Sequence, residues 1–141
     1  MKLIPVAKHR DAARVLWDLL EERTEDESIS HKRMPTWGEH LDFILSNPYF
    51  AWYIIEVPDP LGPVKVGAIY LSRDDEIGIS IYKQYRRRGF ARQAIEMLMA
   101  KHEDCRRFLA NINPKNAKSR ALFEGLGFRH IQDTLELPNA D

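Results

Sequence analysis

Three segments with the pattern of β-strands follow one another in the middle of the chain, and this run constrains the fold more than any other feature. Residues 50–57 are dense in aromatic and β-branched side chains, residues 64–71 alternate apolar side chains on one side, and residues 76–81 alternate isoleucines. The turn at 58–63 and the Asp74–Asp75 pair separate the three segments. Because connections this short join antiparallel neighbours, the run predicts an antiparallel meander.

One strand and two helices are predicted before the meander. Residues 2–6 predict a short strand, and residues 11–23 space alanine, valine and leucine for one face of a helix. Residues 24–32 are charged and irregular, so they predict a mobile loop. A second helix begins with a capping box at residues 36–39 and ends before Pro48, since the residue before a proline avoids helical dihedrals. The residues that this helix is expected to bury are Trp37, Leu41, Ile44 and Leu45.

Helices and strands alternate after the meander. The pattern predicts a helix over 90–102, a short strand over 108–112, a helix over 117–125 and one or two final strands within 128–137. Gly78, inside the last meander strand, indicates a bulge or a close approach of the backbone. The resulting order, β-α-α-β-β-β-α-β-α-β, predicts an α/β fold with a mixed sheet.

Composition limits the classes of protein that the chain can belong to. With 141 residues and 44% hydrophobic side chains, the chain suits one globular domain, residues 1–141. Lys plus Arg and Asp plus Glu both number 21, and a zero net charge argues against a nucleic-acid partner. The chain has a single cysteine, no zinc-type ligand spacing, no apolar run long enough to span a membrane and no signal-peptide pattern, so we expect a metal-free cytoplasmic protein that binds no membrane. The sequence leaves both a monomer and a homodimer open.

An arginine-rich turn joins the isoleucine-rich strand to the next helix. The turn runs through residues 86–88, and the helix begins at Gly89. The start of a helix leaves unpaired N–H groups with partial positive charge, and a glycine there lets the backbone approach an anion closely. The turn is therefore a candidate phosphate site, although a basic turn exposed to solvent would carry the same residues.

A second strand-to-helix junction follows at residues 111–128. Asn116 and Ser119 fall on the first turn of the predicted helix, and Phe123 lies four residues after Ser119 on the same face. Taken alone, these residues are also compatible with a helix cap, a surface serine and a core phenylalanine.

Together the two junctions resemble the GNAT superfamily of acetyl-CoA-dependent N-acetyltransferases. Residues 86–91 look like its (Gln/Arg)-x-x-Gly-x-(Gly/Ala) pyrophosphate loop, and residues 116–128 look like its Asn-x-x-Ser and Leu-Tyr-Glu-x-x-Gly-Phe block. The resemblance runs from the first strand to Leu137 and implies a GNAT-type three-layer α/β fold. Its central sheet would be mixed and mostly antiparallel, with a V-shaped splay between the fourth and fifth strands.

The resemblance also implies which residues bind acetyl-CoA. The strand residues expected to bond the pantetheine amides are Ile79, Ser80 and Ile81. The residues expected around the pyrophosphate are Arg86, Arg87, Arg88, Gly89, Phe90, Ala91 and Arg92. The residues expected along the far wall of the pantetheine arm are Asn111, Asn116, Ser119 and Phe123.

The implied reaction is direct attack of a primary amine on the acetyl thioester in a ternary complex, and the amine would belong to a small-molecule or peptidic acceptor. Glu76 is our choice for the base, acting through water, and a backbone N–H near Ile81 would stabilise the oxyanion. The family's usual tyrosine acid corresponds to Phe123, which has no acidic hydrogen. Tyr82 and Tyr85 are more typical of packing residues.

Other side chains and other functions stay open from the sequence. His31 and His40 lie in the region 25–48, where the family builds its acceptor pocket, but surface positions are the more ordinary interpretation for both. Cys105 has no histidine partner in the sequence and is read as non-catalytic. The alternatives to an N-acetyltransferase are a non-catalytic acyl-CoA-binding or sensing module and a nucleotide or nucleic-acid binder that uses the arginine turn. An amino sugar, an amino acid or a polyamine would each be a reasonable acceptor.

Overall fold

The computed structural model describes residues 1–23 and 33–139. Its strands are β1 (Lys2–Pro5), β2 (Ala51–Val57), β3 (Val64–Leu71) and β4 (Ile77–Ile81). Its helices are α1 (Ala12–Glu22), α2 (Trp37–Leu45), α3 (Phe90–Lys101) and α4 (Ala117–Gly125). The predicted loop at 24–32 lies outside the described residues.

The four strands form one antiparallel sheet in the order β1-β2-β3-β4. The meander predicted from the alternating residues is therefore confirmed. A register shift falls between Ile55 and Glu56 in β2 rather than at Gly78. The glycine at position 78 is explained by a close contact and not by a bulge. The Tyr70 ring on β3 lies directly over it, and a Cβ at this position would overlap that ring.

Helices cover both faces of the sheet and produce the expected three layers. Ile54 and Ile55 are neighbours on β2 whose side chains point to opposite faces, and both are fully buried. On the Ile54 face, α1 contributes Val15, Leu16 and Leu19 to the core. On the Ile55 face, α3 and α4 pack against the sheet, and their core residues are Ala94, Ile95, Leu98 and Phe123.

The predicted fifth strand, residues 108–112, is reduced to a single parallel bridge between Glu76 and Leu109. The Ile77 N–H donates to the Leu109 carbonyl at 2.8 Å, and the Leu109 N–H donates to the Asp75 carbonyl at 2.8 Å. No further bridge continues this pairing within the described residues. The segment therefore diverges from β4 after its first residues, in agreement with the predicted splay.

The prediction of final strands within 128–137 is wrong for this structure. Residues 129–139 pair with no strand, and Leu135 and Leu137 are 93% and 92% exposed. An alternating pattern indicates that a segment is able to pair, whereas a strand also needs a free edge beside it. The sheet has its edges at β1 and β4, and within the described chain neither edge pairs with these residues.

The predicted orientation of α2 is also partly wrong. Trp37 and Leu45 are 43% and 81% exposed, whereas His40, expected at the surface, is only 3% exposed. The His40 Nε2 lies 2.8 Å from the Ala13 carbonyl of α1, and the Trp17 ring packs edge-on against His40. The helix therefore turns its histidine toward α1, because this contact pairs a polar side chain with an accessible carbonyl.

Candidate active site

The outer edge of β4 is open along its second half. Tyr82 N–H donates to the Val66 carbonyl at 2.9 Å, and Ser72 N–H donates to the Glu76 carbonyl at 2.8 Å, which fixes the hydrogen-bonded pairs of the β3–β4 ladder. Such pairs alternate along an antiparallel ladder, so the peptide groups of Ile79 and Ile81 point away from β3. They face the space left where residues 110–112 diverge.

The chain leaves β4 through a turn with two left-handed residues. Arg87 has φ +66° and Gly89 has φ +78°, and Gly89 is the residue before the first turn of α3. No side chain caps this helix start, and its first turn carries no acidic residue. A Cβ at Gly89 would meet no atom within 4 Å. The first backbone N–H groups of α3 therefore lie beside open space without a capping side chain.

Three arginines in the turn and in the first helical turn of α3 contact neighbouring groups of the protein. Arg86 Nε donates to the Ile81 carbonyl at 3.0 Å, and the Arg88 guanidinium lies 5.8 Å from the centre of the Tyr85 ring. Arg92 pairs with Glu96 at 3.0 Å on α3. The Arg86 contact holds the turn against the end of β4, and the three arginines place positive charge near the helix start.

The second predicted wall lies at the start of α4. Asn116 caps this helix, since its Oδ1 accepts from the Ser119 N–H at 3.0 Å. Ser119 is half-buried, and Phe123 is only 3% exposed and packs edge-on against the Phe128 ring at 5.1 Å between centroids. The predicted Asn116 cap therefore forms, and Phe123 is a core residue, as in the ordinary interpretation of this junction.

Glu76 stands at the start of β4, at the other end of the strand from the arginine turn. Its carboxylate accepts hydrogen bonds from the Asn111 amide and, at 3.4 Å, from the Ser72 hydroxyl. The five residue-to-residue steps from Glu76 to Ile81 span roughly 16 Å at the usual rise of a strand. The structure therefore brings together Glu76 and Asn111, two of the predicted residues, and separates both from Gly89.

The other side chains that the sequence suggested for catalysis make contacts away from this site, are disfavoured as nucleophiles or lie outside the described residues. The Tyr82 hydroxyl donates to the Val15 carbonyl at 3.3 Å, and burial raises its pKa to about 12. Burial, together with the charge of Asp104, raises the pKa of the Cys105 thiol, so the thiolate is disfavoured. His31 lies outside the described residues.

A cavity of about 110 Å³ opens on the α1/α2 face of the sheet. His40 belongs to the region in which the sequence analysis expects an acceptor pocket, but the sequence did not single out Arg23 or Tyr70 as parts of a site. Its aromatic lining consists of Phe43, Tyr49, Trp52 and Tyr70. Its polar lining comes from Arg23, His40 and Ser80, and the backbone of 78–80 forms part of its wall. We call this the aromatic cavity. The signals available beforehand were the cluster of rings at 49–52, which the composition of a strand explains equally well, and the glycine beneath Tyr70.

Two rings of the aromatic cavity stack on each other, and an arginine lies close to them. Tyr49 and Tyr70 stack with ring centroids 3.8 Å apart and planes 7° apart. Burial raises the pKa of Tyr49 to about 12, although the nearby charge of Arg23 opposes the rise. Arg23 Nη2 donates to the Ser80 Oγ at 3.3 Å. Arg23, the residue that follows α1, is therefore linked to the C-terminal half of β4 across the cavity.

Two further structural findings concern membranes and metals. No helix within residues 1–23 and 33–139 combines the length and apolar character of a membrane span. The described side chains also include no group of three or more His, Cys, Asp or Glu residues placed to hold a metal ion.

Comparison with known proteins gives one family match. Residues 2–129 match the family model described as "Acetyltransferase (GNAT) domain". No curated protein sequence matches the chain.

Solved structures share the fold at low sequence identity. A domain from Methanocaldococcus jannaschii DSM 2661 superposes with a TM-score of 0.82 at 22% identity, covering 96% of this chain and 93% of that one. A chimeric spermidine N-acetyltransferase from Vibrio cholerae and hSSAT gives 0.71 at 17% identity, covering 94% and 84%. An aminoglycoside antibiotic 6'-N-acetyltransferase from Acinetobacter haemolyticus gives 0.64 at 16% identity, covering 100% and 99%.

Proposed function

Since the chain belongs to the GNAT acetyltransferase family, we propose that it transfers the acetyl group of acetyl-CoA to a primary amine by direct attack in a ternary complex. The observation that carries the proposal is the uncapped start of α3, which follows the open edge of β4. The acceptors named for two of the similar structures, spermidine and an aminoglycoside, are amines, and this agrees with an amine acceptor here.

The diphosphate of acetyl-CoA would lie at the start of α3. Its negative charge suits the N–H groups of residues 87–92, the positive end of the helix and the surrounding arginines. Gly89 supports this arrangement because its missing Cβ leaves the approach clear. Two phosphate groups offer enough oxygen atoms to accept from several of these donors at once.

The pantetheine arm would run from there along β4. The peptide groups of Ile79 and Ile81 point to the open edge, where they would bond the pantetheine amides as a neighbouring strand does. Asn111, Asn116, Ser119 and Phe123 would form the opposite wall. Asn116 would contribute by fixing α4, since its side-chain oxygen is used as the cap.

The chemical step needs a base, an oxyanion donor and a leaving group. The attacking nitrogen forms a bond to the thioester carbon, its proton passes through water to Glu76, and the C–S bond breaks to release the CoA thiolate. Asn111 and Ser72 orient the Glu76 carboxylate for this role. A backbone N–H on the open edge of β4 near Ile81, one that does not bond the pantetheine arm, would donate to the oxyanion. With Phe123 in place of the family's tyrosine, the thiolate, whose usual pKa is ~8.5, would leave without a side-chain acid.

The proposal is tested by calorimetry with acetyl-CoA and by thiol release over a panel of amines. We expect saturable binding of acetyl-CoA and amine-dependent release of free CoA. Binding without thiol release for any amine would indicate a non-catalytic acyl-CoA-binding protein instead. Absence of binding would refute the assignment of the α3 start.

A further inference from the structure

We propose that the aromatic cavity is the acceptor pocket and that it selects α-amino acids with an apolar or aromatic side chain. This inference rests on the proposed acetyl transfer and specifies its acceptor. The main observation is that the cavity combines an aromatic lining from α2, β2 and β3 with an arginine, Arg23, that follows α1.

The size and lining of the aromatic cavity suit one small apolar group. Its volume of about 110 Å³ is somewhat below the ~150 Å³ of an engineered apolar cavity that binds benzene. Leu16, Leu19 and Leu20 complete the apolar lining supplied by the rings. A polycyclic acceptor would exceed this volume, and a strongly hydrated one would leave these surfaces unfilled. A side chain such as that of leucine or phenylalanine would bury them.

Arg23 would bind the carboxylate of the acceptor. Its guanidinium carries five N–H donors, of which the bond to Ser80 Oγ at 3.3 Å uses one. Arg23 is exposed and lines the aromatic cavity, so a ligand can reach its guanidinium. A carboxylate is the group that a planar guanidinium binds best, through two parallel hydrogen bonds.

The charge of the aromatic cavity argues against polycations. Within residues 1–23 and 33–139, no Asp or Glu side chain lines it, and Arg23 is its one cationic side chain apart from the histidine. An acceptor that carries a second ammonium group would meet a like charge and, among the described lining residues, no carboxylate partner. The described lining therefore favours an acceptor with one amine and a carboxylate over a polyamine.

The position of Arg23 favours an α-amine over a more distant one. Its contact with Ser80 would set a bound carboxylate beside the C-terminal half of β4. In an α-amino acid the amine and the carboxylate share one carbon, so the amine would also lie at β4. This is the strand whose Ile79 and Ile81 would hold the pantetheine arm, so the nucleophile would be within reach of the thioester.

The test compares three acceptors and two variants. L-phenylalanine, 2-phenylethylamine and spermidine share a primary amine, but only the first has a carboxylate and only the last is a polycation. The variants are Arg23→Gln and, as a matched control on the same helix, Arg14→Gln, whose arginine is exposed and pairs with Asp18. Thiol release gives kcat and KM, and calorimetry in the presence of a non-reactive acetyl-CoA analogue gives acceptor affinity.

We expect kcat/KM to follow the order L-phenylalanine, 2-phenylethylamine, spermidine. Arg23→Gln should raise KM for L-phenylalanine by about 10- to 100-fold, the loss of charge-assisted hydrogen bonds, and should leave 2-phenylethylamine within about twofold. Arg14→Gln should change neither.

The outcomes separate this inference from the proposed function. Acetyl-CoA binding with spermidine as the best acceptor, or an unchanged KM for L-phenylalanine in Arg23→Gln, would overturn the acceptor assignment and leave acetyl transfer intact. Absence of acetyl-CoA binding would overturn the proposed function. In that case, calorimetry with L-phenylalanine alone still tests the pocket, and no binding would overturn the inference as well.

Discussion

Replacing Gly89 by alanine separates the role of this residue in folding from its role in binding. Gly89 has φ +78°, and an added Cβ would meet no protein atom within 4 Å. The expected loss in the free energy of unfolding is therefore only the backbone strain of a left-handed alanine, roughly 1 to 2 kcal/mol. Because a domain of this kind is stable by about 5 to 15 kcal/mol, the Gly89→Ala protein should remain folded.

Binding of acetyl-CoA should suffer much more than folding. The open space at Gly89 is where the diphosphate would approach, so the new methyl group would push it away from the first N–H groups of α3. Losing one charge-assisted hydrogen bond, worth about 1.5 to 3 kcal/mol, corresponds to a dissociation constant about 10- to 100-fold higher. Calorimetry with acetyl-CoA measures this change, and urea unfolding measures stability.

Gly62→Ala is the matched control for backbone strain. Gly62 has φ +116° in the turn between β2 and β3 and also has no neighbour within 4 Å of a Cβ. This variant should lose stability and keep the affinity for acetyl-CoA of the unmodified protein. Unchanged affinity in Gly89→Ala, or an equal loss in both variants, would refute the reasoning.

Three other variants test separate parts of the account. Gly78→Ala should displace the Tyr70 ring and lower the free energy of unfolding, measured in urea, by about 1 to 3 kcal/mol. It should weaken binding of the acceptor more than binding of acetyl-CoA, and an unchanged acceptor KM would contradict this. Glu76→Gln should lower kcat by about 100-fold or more in steady-state assays and leave the affinity for acetyl-CoA unchanged, whereas full activity would exclude Glu76 as the base. Burial lowers the pKa of His102 below its ordinary 6.5, so the folded protein disfavours its protonation and stability should fall as pH drops below about 6.5. In melting experiments, His102→Gln should remove this part of the pH dependence, and it also removes the hydrogen bond between His102 and Tyr53. A Tm difference between the variant and the unmodified protein that stays the same at every pH would disprove the assignment.

Much of the fold was accessible from the sequence because its signals are local. The meander follows from the alternation of residues within each strand and the short turns between strands, and the helices follow from their own periodicity and caps. The Thr36–Glu39 capping box and the Asn116 cap both form as predicted. The start of α3 at Gly89 needed only the order of strand, basic turn and helix.

The features that the sequence did not predict depend on several elements at once. The orientation of α2 depends on a carbonyl of α1 that accepts from His40, which no pattern within α2 reveals. Residues 128–137 alternate like a strand, but pairing depends on an edge elsewhere in the chain. The aromatic cavity combines side chains from both N-terminal helices with β2, β3 and β4, so Arg23 and Tyr70 share a site although 47 positions separate them.

The central claim is that backbone amides at the start of α3 hold the diphosphate of acetyl-CoA. Amide chemical shifts from nuclear magnetic resonance test it directly, in titrations with CoA and with acetyl-pantetheine, which lacks the diphosphate. The account predicts that CoA shifts the amides of residues 87–92 strongly and that acetyl-pantetheine moves them little and binds far more weakly. Equal affinity for the two compounds, or shifts confined to other parts of the chain, would contradict it.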